Sequence, residues 1–77
     1  VQTINYSTKD LGEAAMLLCK GQTIERLERK GNICWFVYTD PKSCLVLSNH
    51  YYFGELTVNA RSYFESVNRL KKLIFNR

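Results

Sequence analysis

Seventy-seven residues with a net charge of +4 and an apolar fraction of 45% describe one small folded domain over residues 1–77. Aromatic residues make up 13% of the chain, which argues against disorder. A chain this short buries only about 60% of its unfolded surface, so it has room for one modest core and little room for a preorganised catalytic pocket.

The charge is uneven. Residues 1–40 carry five basic against five acidic side chains, and residues 41–77 carry six against two. The whole excess therefore lies in the second half, mostly on its last predicted helix, which is an argument about partners and not about fold. The longest uninterrupted apolar runs, Ala14–Cys19 and Ile33–Tyr38, are too short to cross a bilayer. With no secretory leader read either, the sequence implies no membrane partner and a cytoplasmic location.

In chain order, Thr3–Tyr6 alternates as a short strand would. Ser7-Thr8-Lys9-Asp10 reads as a helix start, with Ser7 accepting from the Asp10 N–H. Leu11, Ala14, Ala15, Leu18 and Cys19 then recur at helical spacing, widened by Met16 and Leu17. Gly12 weakens that helix and opens a place where another element can pack closely. Gln22–Arg29 and Ile33–Tyr38 flank Lys30-Gly31-Asn32 as a β-hairpin. Ile24 and Leu27 break the alternation, which predicts a bulge. Cys34–Tyr38 is apolar on both faces, so it reads as a central strand with helices covering both faces of the sheet.

Asp40-Pro41 is an N-cap followed by proline at the first helical position. Cys44, Leu47, Ser48 and Tyr51 share a face of the helix that follows, and Gly54 ends it. Glu55–Val58 is a weak strand or an extended link. Asn59 caps the final helix. Its predicted buried stripe is Ala60, Phe64, Val67, Leu70 and Ile74, widened by Tyr63 and Leu73, with Glu65 placed to pair with Arg69. The fold class is α+β: a small antiparallel sheet around a central β-hairpin, packed with three helices in the order β-α-β-β-α-(β)-α. With both short strands formed, the first six elements match the split β-α-β order of ferredoxin-like domains.

Little in the sequence points to catalysis. There is one histidine, no glycine-rich phosphate loop and no nucleophile or zinc-protease motif. The acidic residues read as scattered surface charges. Cys44 and His50, six residues apart on one helix, point in different directions and make no dyad. Cys19, Cys34 and Cys44 lack the close spacing of a zinc knuckle and read as reduced core thiols. The sequence therefore implies a non-enzymatic protein with no cofactor and no metal.

Two surfaces remain as binding candidates. Arg61, Asn68, Arg69 and Lys72 form a basic helix face suited to nucleic acid or to an acidic protein surface, although cations near a helix C-terminus also serve the helix itself. Tyr51, Tyr52 and Phe53 belong to a run of four rings, His50–Phe53, that cannot all point inward. They mark a contact for a protein partner or for a second copy of the chain. Trp35, on the opposite side of its strand from Phe36 and Tyr38, reads as core.

Several stretches carry a family resemblance: Ser7-Thr8-Lys9-Asp10-Leu11, Ala14-Ala15, Leu17-Leu18-Cys19-Lys20-Gly21, Leu27-Glu28-Arg29 with the apolar strand, Tyr52-Phe53-Gly54-Glu55 and Val58-Asn59-Ala60-Arg61. Together they resemble a family of short bacterial and phage proteins known only as a domain of unknown function. The resemblance spans nearly the whole chain and rests on caps, turns and core positions. It implies a small free-standing cytoplasmic protein carried on mobile elements or phage, and it transfers no catalytic residue.

Overall fold

The computed structural model describes residues 5–75. Six elements follow in order: β1 (Tyr6–Thr8), α1 (Leu11–Cys19), β2 (Ile24–Lys30), β3 (Ile33–Tyr38), α2 (Pro41–Tyr52) and α3 (Ala60–Phe75). The strands form one antiparallel sheet in the order β1-β3-β2. This is the split β-α-β arrangement: α1 carries the chain across β3, which later inserts between β1 and β2. The α+β class and the central hairpin stand as expected.

Gly31 turns the hairpin at a φ of +63°, a left-handed conformation that a side chain disfavours. The anticipated bulge lies between Ile24 and Arg26, where the register with β3 shifts. The register also sorts the side chains. Tyr6 and Thr8, Ile24 and Leu27, and Phe36 and Tyr38 share one face. Phe36 and Tyr38 are buried there with Ala14, Ala15, Met16, Leu17, Cys44 and Leu70 from the three helices. The Tyr38 hydroxyl donates to the Ala14 carbonyl at 2.6 Å, so the core's largest polar ring is satisfied.

Several expectations need correction. All three helices contribute to the core on the Phe36/Tyr38 face, and no helix in the described residues covers the other side. The result is a flat, two-layer molecule of 36 × 33 × 18 Å. Trp35 therefore lies on the helix-free face, half-buried beneath the Lys9 ammonium, which sits 5.9 Å from the ring centre. Beside it Val37 is buried, flanked in register by Ser7 and Arg26.

The first strand is displaced relative to its predicted span: Ser7 and Thr8 belong to β1, while Thr3 and Ile4 lie outside the described residues. The α1 cap is Asp10, whose carboxylate accepts from the Glu13 N–H at 3.1 Å, and Ser7 plays no part in it. Glu55–Val58 forms no strand. It runs extended, with Leu56 packed against the core. The caps at Asp40 and Asn59 form as anticipated, accepting from the N–H groups of Ser43 at 3.2 Å and Ser62 at 3.0 Å.

Candidate functional site

The orientation of α3 decides which of its residues are available. α3 docks on α1, with the Tyr63 hydroxyl donating to the Gly12 carbonyl at 3.3 Å. Its inward side carries Tyr63, Ser66, Val67, Leu70 and Ile74, of which Ser66 and Leu70 are fully buried. Phe64 and Ala60, expected in the stripe, face solvent, and Phe64 is 65% exposed. Tyr51 and Tyr63 approach α1 closely at Gly12. A side chain added there would lie 2.7 Å from the Tyr51 hydroxyl and 3.3 Å from that of Tyr63.

The outward side of α3 then carries the basic residues. At about 100° per residue, Arg61, Asn68 and Lys72 fall nearly in line, and Arg69 stands about 80° round from Arg61. Arg61, Arg69, Lys71 and Lys72 are all exposed, and Asn68 is half-buried. The expected Glu65–Arg69 pair does not form. Glu65 instead faces Arg61 at 3.7 Å, a weak exposed contact. Among the described residues, Arg69, Lys71 and Lys72 make no ion pair. Two rings flank this face, Phe64 and the 79% exposed Phe75. Cations without carboxylate partners, set among exposed aromatic rings, can neutralise phosphates and stack on bases.

The aromatic corner divides. Tyr51 is half-buried and its hydroxyl presses on Gly12. The Tyr52 hydroxyl returns to α1, donating to Glu13 at 3.0 Å and approaching Asp10 at 3.4 Å. Tyr52 is nonetheless 60% exposed, and Phe53, 78% exposed, projects without a polar tether. His50 and Glu55 contact each other at 3.0 Å across the helix end. Leu45 and Val46, 54% and 56% exposed, extend the apolar surface along α2.

One polar cluster escaped the sequence reading. Glu13, a surface charge by its sequence pattern, is only 3% exposed. It accepts hydrogen bonds from Thr8 at 2.6 Å, Tyr6 at 2.5 Å, Tyr52 and Ser48. Burial alone would push its carboxyl up. The hydroxyls of Ser48, Thr8, Tyr6 and Tyr52 outweigh burial and hold it below the ordinary carboxylate value. Burial and the neighbouring Glu13 carboxylate push the Tyr6 hydroxyl up in turn. The only available signal was the polar, small or hydroxylic character of Thr8, Ser48 and Tyr52 at positions that converge only after folding.

Cys44 is buried, its thiol donating weakly to Gln22 at 3.6 Å. Burial first, then the Asp40 and Glu13 carboxylates, push that thiol up to about 11, so it stays protonated at neutral pH. Cys19 and Cys34 are free and half-buried. The described residues hold no group of three or more histidine, cysteine or acidic side chains able to bind a metal ion, and no described helix is long and apolar enough to cross a membrane.

No protein-family model, curated protein or solved structure matches this chain.

Proposed function

We propose that the protein is a small non-enzymatic module that binds nucleic acid through the outward face of α3. Arg61, Arg69 and Lys72 meet phosphates, Asn68 supplies a polar contact, and Lys71 extends the basic surface. The observation that carries this reading is that Arg69, Lys71 and Lys72 are exposed without an ion-pair partner among the described residues, on a helix that also exposes Phe64 and Phe75. Cations near the C-terminal end would also serve a helix that only closed a core, but exposed Phe64 and Phe75 would not.

Fluorescence anisotropy with short labelled single- and double-stranded DNA and RNA tests this reading. Each phosphate contact on duplex DNA contributes a slope of about −0.9 in log affinity against log salt, so four contacts give roughly −3 to −4. The double reversal Arg69→Glu/Lys72→Glu weakens binding by about tenfold or more at low salt. Absence of binding at low salt, or binding indifferent to salt and to the reversal, contradicts the reading.

A second reading draws on α2, where Leu45, Val46 and Phe53 stand exposed on a helix whose only basic side chains are Lys42 and His50. That face suits a protein partner or a second copy, and the contact would be insensitive to salt. Replacing Phe53 and Val46 by serine would abolish it and spare nucleic-acid binding.

A further inference from the structure

At the hairpin end of the molecule the two layers part. β1 stops at Thr8, opposite Phe36, while β3 begins three residues earlier at Ile33. The β1 side of Ile33–Trp35 therefore has no paired strand in the described sheet. The first turn of α1 and the last turn of α3 do not fill the gap, and a cleft of about 460 Å³ remains. Small-molecule sites run from roughly 300 to 1,000 Å³, so this cleft is of binding size.

Its walls are apolar: Leu11 and Phe36 at the base, with Ile33, Ile74 and Phe75 at the sides. Two cations, Lys9 and Arg29, also line it, and no carboxylate does. Neither makes an ion pair among the described residues. Arg29 donates to the Ile74 carbonyl, which orients the guanidinium without neutralising it. Lys9 rests over Trp35 as a cation–π contact, an interaction weak enough at an exposed site for an anion to displace.

From this geometry we infer that the cleft binds a small amphiphilic anion, its aliphatic tail against Leu11, Phe36 and Ile74 and its carboxylate between Lys9 and Arg29. The cleft shares Phe75 with the edge of the α3 face but is lined by none of Arg61, Asn68, Arg69 and Lys72, so its anion contacts are separate from those proposed for nucleic acid.

Decanoate, kept below its micelle threshold, is the probe, and Trp35 is the reporter because it is the chain's single tryptophan. The carboxylate pulls Lys9 off the indole, so emission changes saturably. Loss of the charge-assisted contacts in Lys9→Gln/Arg29→Gln raises the dissociation constant by about tenfold or more, read by protection of Cys34 from alkylation because this variant lacks the Lys9–indole contact. Both side chains are exposed, so the variant keeps the fold. Decanol binds at least as weakly to the wild type as decanoate does to the variant, and acetate produces no change. Cys34, half-buried in the cleft wall, is alkylated more slowly in the presence of decanoate. This second readout needs no variant. The inference is overturned if decanoate neither changes Trp35 emission saturably nor protects Cys34. It is equally overturned if decanol matches decanoate or the double variant binds as the wild type does.

Discussion

Glu13 accepts from four hydroxyls, two on each oxygen: Thr8 and Tyr52 on Oε1, Tyr6 and Ser48 on Oε2. These donors come from β1 and α2, so the carboxylate ties α1 to both neighbours. Removing it leaves buried Thr8 and Ser48 without their acceptor. Glu13→Ala should cost about 2–4 kcal/mol in urea denaturation, and Glu13→Gln, which keeps one carbonyl acceptor, about 1–2 kcal/mol. The pH dependence follows from the lowered carboxyl. A group whose pKa is lower folded than unfolded stabilises the fold above its ordinary value, here 4.5, and loses that contribution as pH falls through the folded value. The denaturation midpoint should thus fall as pH drops below 4.5, more steeply in the wild type than in Glu13→Gln. Gly12 makes a second point at this scale. Gly12→Val drives methyl groups into the Tyr51 and Tyr63 hydroxyls and should destabilise the protein by about 1–3 kcal/mol.

α3 shows how far an element can be read from its pattern. Its caps, length and amphipathic character were legible, because Asn59, the apolar spacing and the charged positions are all local signals. Its rotation was not. Phe64 and Ser66 lie on either side of the apolar stripe, and it is the tertiary packing of α3 on α1 that leaves Ser66 buried and Phe64 exposed. The same limit applies to Glu65, which pairs with Arg61 and not with Arg69. Stability measurements separate the two rotations. Leu70→Ala, at a fully buried site, should cost about 2–5 kcal/mol. Phe64→Ser should change stability by less than about 0.5 kcal/mol, as exposed substitutions do. A large loss for Phe64→Ser would place that ring in the core.

For the whole molecule, the α+β class, the hairpin and the order of the helices followed from periodicity and turn chemistry. The distribution of helices over the sheet did not. An apolar run such as Cys34–Tyr38 suggests cover on both faces, yet Val37 is buried between Ser7 and Arg26 on the side where no described helix packs. The Glu13 cluster was hidden for a different reason: its hydrogen-bonded members are up to 42 residues apart, and no local pattern reports such a convergence. What the whole molecule presents is a flat two-layer body with its core between helices and sheet, and with uncompensated cations on the outside of α3. That unevenness of charge, already visible in the sequence, supports the reading of α3 as the working surface.

The most direct test follows backbone amide shifts in a ¹⁵N-labelled sample as a short DNA or RNA oligonucleotide is added at low salt. The account predicts perturbations concentrated along α3, around Arg61, Phe64, Asn68, Arg69 and Lys72, that fade as salt is raised. Unchanged spectra at low salt, or shifts confined to α2 or the Trp35 face, would contradict it.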